Sequence, residues 1–337
     1  MKPCLTAWLL AALTPMLAAA SKDGNLVIGY IGRSSSNPVY RVALEGAEQA
    51  AKDLGLQYHI KIKIVDATPP ADDARQQVAA LEKLVLEGAD GATIACADTT
   101  QLTPAIDDAV DAGLCVATFA SDAPQSKRFF SFMADNDQCG HTLMIALAKA
   151  MNGKGVVAIL GGTPTAQNLK LRVAGLKAAA QVYPGITIRG VYYSKESGAA
   201  SSDRIAEVMK QNPDITGWAI VASWPLSVKN AFPWKPGTVK CVAVGLLPDQ
   251  LEYIRNRYVY LAVAQPYFQW GYRTTERIVL KAALSRNPPE PVEYAPMQTV
   301  SFKNAGSYGK IIENWLTRAD AAGPAGGSVV ERDFPAR

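Results

Sequence analysis

Twice along this chain, short apolar runs alternate with segments of helical periodicity, and that alternation constrains the fold more than any single motif. The first series begins with "NLVIGYIG", followed by a helix on which Ala43, Ala47, Ala50 and Leu54 share one face. "HIKIKIVDA" comes next, then a helical stretch with Ala74, Val78, Leu81 and Val85 in register, stopped by Gly88. "GATIACA", a helix from about Leu102 to Ala112, and "GLCVATFA" continue it. After "FFSFMADN" the pattern restarts with helix 140–151, strand "GVVAILGG", helix 168–181, strand "TIRGVYY", helix 204–211 and strand "GWAIVAS". "VKCVAVGLL", "YLAVAQPY", a helix over 271–284 and a last extended piece, "MQTVSFKN", follow. Strands that are apolar on both faces and each lead into a helix pair in parallel, with helices covering both sides. The expectation is an α/β fold of two doubly wound parallel-sheet lobes around a cleft, with ligands gathered at the carboxyl ends of the strands.

A length of 337 residues suits two lobes of ordinary size. The net charge is only +4 and the Lys and Arg residues are scattered over helical faces, which makes nucleic acid a poor partner.

The opening "MKPCLTAWLLAALTPMLAAASKDG" places Lys2 before an apolar stretch, breaks it at Pro15 and ends in small residues. It reads as a secretory signal peptide, 1–20, cleaved near Ala20, and predicts a periplasmic protein. A membrane anchor needs ~20 uninterrupted apolar residues, more than this stretch offers. Cys96, Cys115, Cys139 and Cys241 lie far apart, mostly in or beside apolar runs, as small buried hydrophobes do. Their spacing leaves a disulfide open and gives metal binding no support, and His59 and His141 are too few for a zinc site. No metal and no cofactor is expected.

"VVAILGGTPTAQNLKLRVAGLK" joins an apolar run to a Gly-Gly turn and a helix, as phosphate loops do. It lacks both G-x-x-x-x-G-K-[ST] and G-x-G-x-x-G, so a nucleotide is not indicated. It offers instead Asn168 and Arg172, one turn apart near a helix start, an amide and a guanidinium fork suited to hydroxyl and carboxylate oxygens. A helix cap and a surface ion pair are the structural alternative for the two.

The order and spacing of several segments resemble the substrate-binding proteins of ABC importers, of the ribose-binding type with a type I periplasmic-binding fold. They are "IGRSSSNPVYRVALEGAEQAAKDLG", "LVLEGADGATIACADTTQLTPAIDDAVDAGLCVATFASDAP", "FMADNDQCG", "AILGGTPTAQNLKLRVAGLKAAAQVYPGI" and "AQPYFQWGYRTTE". The likeness runs from about Leu26 to Lys303. It implies an N-terminal lobe of 24–133 plus 266–294, a C-terminal lobe of 134–265 plus 295–318, and a hinge of three crossovers near Met133, Gln265 and Ala295. Residues 319–337, rich in small residues, read as a flexible tail.

The resemblance implies first-lobe ligand contacts from Asn37, Tyr40, Asp98, Ser121 and Asp122, and second-lobe contacts from Asn168, Arg172, Ser223 and Trp224, with Gln265 at the crossover. Planar polar side chains for paired hydroxyls and aromatic faces for C–H edges make this a binding inventory and not a catalytic one. Asp98 is equally a helix N-cap, Asp122 equally a turn residue, and Trp224 equally core. Asp135 and Asn136 are expected to organise the hinge, and Asp72-Asp73 to supply helix N-terminal charge. Two positions depart from the family pattern: Ala120 and Leu246 stand where neutral-sugar receptors often carry aspartates. Cys96 and Ala95 likewise replace more polar residues.

The implied function is an extracytoplasmic receptor that closes over a monosaccharide or related small polar ligand and delivers it to an ABC permease in the inner membrane, working as a monomer. The alternatives are a ligand-sensing partner of a membrane sensor or chemoreceptor, and a receptor for an acidic sugar derivative that satisfies Arg172 and Arg33. An enzyme is disfavoured: there is no nucleophile elbow, no metal spacing and little histidine.

Overall fold

In the computed structural model, which describes residues 25–311, two six-stranded sheets form the framework of the chain. The expected signal peptide and tail lie outside the described residues. The first sheet has the order β11-β5-β4-β3-β1-β2 and the second β12-β10-β9-β8-β6-β7. The first comprises β1 (Asn25–Ile31), β2 (Lys61–Asp66), β3 (Gly91–Ile94), β4 (Cys115–Phe119), β5 (Phe130–Ala134) and β11 (Val292–Ala295). The second comprises β6 (Lys154–Leu160), β7 (Gly185–Tyr192), β8 (Ile215–Ile220), β9 (Lys240–Val244), β10 (Leu261–Ala264) and β12 (Gln298–Ser301). Every pairing is parallel except β10 with β12.

Burial explains the strand order. The central β3 is buried throughout, whereas the edge strand β2 turns Lys61 and Lys63 outward, charges that discourage further strand pairing. Alternate residues of the first sheet feed two cores. Leu26, Ile28 and Tyr30 pack under α1 (Pro38–Tyr58) and α8 (Tyr267–Leu284), and Ala92, Ile94 and Val116 under α2 (Ala74–Leu86) and α3 (Thr99–Asp111). The second sheet is enclosed in one cluster around Trp218 with α4 (Asn136–Ala150), α5 (Gln167–Ala180), α6 (Gly198–Gln211) and the short α7 (Leu251–Arg255).

Several helices begin earlier than their apolar periodicity indicates, because polar caps extend them. Asp98 accepts from the amides of Thr100 and Gln101 and starts α3, and Asp135 accepts from Gln138 N and starts α4 at 136 instead of 140. Ser197 does the same for α6, which starts at 198 and not 204. The helix α8 also starts early, at 267 instead of 271, but without a side-chain cap, directly after Pro266.

Each lobe is held by a pair of helices meeting at glycines. In the second lobe, a Cβ on Gly140 of α4 would lie 2.2 Å from the Arg172 carbonyl of α5, and one on Gly175 would lie 2.1 Å from the Asp137 carbonyl. Gly46 of α1 and Gly271 of α8 make the same close crossing in the first lobe. The α4–α5 contact fixes the height of α5, and thereby of Asn168 and Arg172, above the sheet.

Candidate functional site

The chain passes between the sheets at three places, from β5 to α4, from β10 to α8 and from β11 to β12. Beside these passages lies a cavity of about 190 Å³. At ~30 Å³ per water it has room for roughly six, the scale of a single sugar ring. Its wall follows the carboxyl ends of strands in both sheets: Arg33 after β1, Ala120 after β4, Glu196 after β7, Ser223 after β8 and Gln265 after β10.

Of the ten expected contact residues, Asn37, Tyr40, Asn168, Arg172, Ser223, Trp224 and Gln265 line this one cavity. The other three do not. Asp98 caps α3. Asp122 is buried in an ion pair with Arg128 and also accepts from Thr118 Oγ1 and from Ala123 N at 2.8 Å, so its carboxylate is fully used inside the first lobe. Ser121 is 1% exposed and its backbone carbonyl accepts from Cys96 N, which fixes the turn after β4. Its hydroxyl has no partner.

Arg172 is 3% exposed and, among the described residues, makes no ion pair. Its Nε donates to Asn136 Oδ1 at 2.9 Å, Nη1 to the Val221 carbonyl at 2.8 Å and Nη2 to Gln265 Oε1 at 3.2 Å. All three acceptors are neutral, and a guanidinium has five N–H groups, so one remains on each terminal nitrogen. Burial lowers its pKa below the ordinary arginine value. Gln265 is itself 4% exposed, not the exposed polar residue its neighbours in sequence suggest. Asn136, expected at the hinge, is part of the Arg172 cradle.

Asn168, 7% exposed and one turn before Arg172, carries a side-chain oxygen with no hydrogen-bond partner. The indole N–H of Trp270, in the same wall, also lacks one. Unpaired buried polar atoms are uncommon in folded proteins because each costs ~1–3 kcal/mol. Both residues line the cavity, which makes it a candidate place for a guest to complete the hydrogen bonding.

Arg33 behaves differently from Arg172. It forms a fork with Asp72 and donates from Nη2 to Glu196 Oε1 at 2.8 Å. Burial works against its charge, but Glu196, Tyr40 and Asp72 outweigh it and hold the guanidinium protonated above the ordinary range. Asp72 is therefore an ion-pair partner, while its neighbour Asp73 caps α2. Glu196 also accepts from Thr163 N at 3.3 Å.

The Gly-Gly turn of the second lobe has a packing reason. Gly162 sits at φ +68°, and a Cβ there would lie 2.2 Å from the Trp224 ring. The turn thus seats the indole against the backbone at the cavity wall, where Trp224 opens a short 3-10 turn, Trp224–Ser227. Tyr40, Tyr267 and Trp270 supply the remaining aromatic wall, with Tyr267 and Trp270 edge to face at 4.8 Å. Burial pushes the Tyr267 hydroxyl up to about 12 and Tyr40 higher still.

Ala120, at φ +57°, lines the cavity, so its missing carboxylate is missing from the wall. Leu246 is 1% exposed in the second-lobe core and does not reach it. Arg33, Glu196, Gln250, Tyr267 and Trp270 are wall residues outside the expected contact set. Glu196, in "YYSKESG", was signalled by its place just after a strand.

A family described as periplasmic binding protein domain matches residues 28–283. The chain belongs to the periplasmic binding protein family. Membership implies an extracytoplasmic location. Among curated relatives of this periplasmic binding protein, the ribose import binding protein of Bacillus subtilis is 27% identical over 205 residues, covering 60% of this chain and 64% of that protein. The D-ribose/D-allose-binding protein of Pseudomonas aeruginosa is 26% identical over 158 residues, covering 45% and 49%. The alignments thus span about half to just under two thirds of these relatives' lengths. Among solved structures, an ABC transporter solute-binding protein from Burkholderia graminis in complex with D-arabinose superposes with a TM-score of 0.79 at 24% identity, covering 85% of this chain and 99% of that one. A glucose-galactose binding protein from Geobacillus stearothermophilus gives 0.75 at 22%, covering 83% and 98%. These relatives are binding proteins and not enzymes. Among the described residues no helix is long and apolar enough to cross a membrane, and no group of His, Cys, Asp and Glu could hold a metal.

Proposed function

We propose that the protein is a periplasmic receptor, exported by its N-terminal signal peptide, that binds one carbohydrate of monosaccharide size between its lobes and delivers it to an ABC permease as a monomer. The observation that carries this reading is the convergence of Asn168, Arg172 and Gln265 with Tyr40 and Trp224 on one cavity of about 190 Å³. Amide and guanidinium groups hold oxygens while ring faces cover C–H edges, and no nucleophile paired with a base stands among them. The relatives named above as ribose, arabinose and glucose-galactose binders support a carbohydrate guest. Closure is a hinge motion at the three crossovers, with ligand and the Arg33–Glu196 contact favouring the closed form.

A thermal-shift screen tests it, because a ligand that binds only the folded state raises its melting temperature. Sugars, polyols and sugar acids are compared with amino acids and small peptides. A carbohydrate, oxidised or not, gives the largest shift; a shift confined to amino acids or peptides contradicts the reading.

A further inference from the structure

We propose that the cavity is built for an anionic monosaccharide, an aldonate or uronate whose carboxylate sits on Arg172 and one of whose hydroxyls donates to Asn168. The proposal rests on the carbohydrate-receptor reading and specifies the chemical class of its ligand.

The wall's unused hydrogen-bonding groups carry it. A neutral sugar presents hydroxyls, each of which needs an acceptor for its proton, and carboxylates are the acceptors best suited to take two at once. Here Asp72 gives both carboxylate oxygens to Arg33, and Glu196 takes Arg33 and Thr163 N on Oε1, which leaves Glu196 Oε2 as the carboxylate oxygen of the wall without a partner among the described residues. Ala120, just after β4, and Val244, at the end of β9, leave the wall apolar there. Asn37 spends its side-chain oxygen on Val39 N, Gln265 on Arg172 and Gln250 on Leu247 N. That leaves Asn168 Oδ1 as the side-chain amide oxygen of the wall with no partner among the described residues, an acceptor for a ligand hydroxyl.

Donors are in surplus. Arg172 keeps an N–H on each terminal nitrogen, faces three neutral acceptors and has no carboxylate within ion-pairing distance among the described residues. The Trp270 indole N–H is unpartnered as well. The first turn of α5 adds to the same pull: its cap residue, Ala166, offers no side-chain acceptor to the helix amides. A buried cation whose hydrogen-bond acceptors are all neutral, beside idle N–H donors, is complementary to a ligand that brings two charged acceptor oxygens. The planar fork of arginine matches a carboxylate in both spacing and charge. Arg33 is no rival for that carboxylate, because two acidic side chains already hold it.

The test is titration calorimetry on protein unfolded in guanidinium, dialysed and refolded, so that no ligand carried through purification remains. Matched pairs are titrated: D-galactose and D-galacturonate, D-glucose and D-gluconate, L-arabinose and L-arabinonate, D-ribose and D-ribonate. The best acid is expected to bind at least 100-fold more tightly than its neutral parent. Arg172→Gln is expected to remove that preference, weakening the acid by at least 100-fold and the parent by less than tenfold. If Arg172→Gln does not fold, Arg172→Lys, which keeps the charge but loses the fork, is expected to keep part of the preference, and the wild-type ratio decides the matter by itself. A neutral sugar as the tightest ligand overturns the anionic assignment and leaves the carbohydrate receptor standing. Failure of every sugar and every sugar acid to bind overturns both.

Discussion

Arg33 of the first lobe and Glu196 of the second meet at 2.8 Å across the cleft, with both side chains less than a tenth exposed. The pair joins the loop after β1 to the loop after β7, and Thr163 N ties Glu196 back to the turn that seats Trp224. It therefore favours the closed arrangement, and any ligand in the cavity shares that gain. Glu196→Gln leaves Arg33 paired with Asp72 but removes the charge that crosses the cleft. We expect ligand affinity to fall about tenfold, which is ~1.4 kcal/mol. Small-angle scattering of the ligand-free variant should report a larger radius of gyration than wild type. An unchanged radius and affinity would show that the contact has no part in closure.

Asp122 is expected to matter for stability and not for binding. Removing it strands Arg128, whose side chain is 7% exposed. Breaking a buried pair from one side costs ~3–5 kcal/mol. Asp122→Ala should lower the denaturant midpoint strongly while the variant that remains folded binds ligand as wild type does. A selective loss of affinity at normal stability would place Asp122 at the ligand after all.

Gly140 and Gly46 occupy equivalent crossings in the two lobes but differ in what rides on them. Gly140 touches the carbonyl of Arg172, whereas Gly46 touches that of Phe268 on α8. Overpacking at either site costs ~1–3 kcal/mol. Gly140→Ala should also lift α5 and weaken binding at least tenfold. Gly46→Ala should lower stability with a smaller effect on affinity. Equal effects on affinity would mean that α5 is not positioned through α4.

The buried thiols give a pH dependence of defined sign. Burial pushes Cys139 up to about 11, and Cys96 and Cys241 higher still. In the unfolded chain a cysteine titrates near ~8.5. A folded-state value above the unfolded one means that stability is fully present below ~8.5 and is lost as pH rises toward and through the folded value. Guanidinium midpoints should therefore fall between pH 8 and pH 11, and less steeply in a variant with alanine at Cys139. At pH 8, Cys96, Cys139 and Cys241 should react with a disulfide reagent only after unfolding. Rapid reaction of the native protein would contradict the burial.

Much of this architecture is written locally in the chain. Apolar runs such as "GVVAILGG" and the helical stretches after them carry the parallel pairing, because a strand buried on both faces has a composition that few other elements share. Helix starts are less legible, since Asp135 and Ser197 act through cap geometry that apolar periodicity does not register. At the cavity, Gln265 stands out as a polar residue directly after an apolar strand, and Asn168 and Arg172 as an amide and a guanidinium one turn apart near the start of a helix. Asp98 and Asp122 have the same appearance in sequence, yet their carboxylates are used by a helix start and by Arg128, partners that only the folded chain brings near. Glu196 is 163 residues from Arg33, and no local pattern records that they meet.

The most direct test of the central claim is a crystal structure of the refolded protein with its tightest-binding sugar or sugar acid. The account predicts one molecule between the lobes, with an oxygen within hydrogen-bonding distance of both Arg172 and Asn168 and a C–H face of its ring or carbon chain on Trp224 or Tyr40. A ligand bound elsewhere, or a cleft in which Arg172 and Asn168 contact only protein, would contradict it.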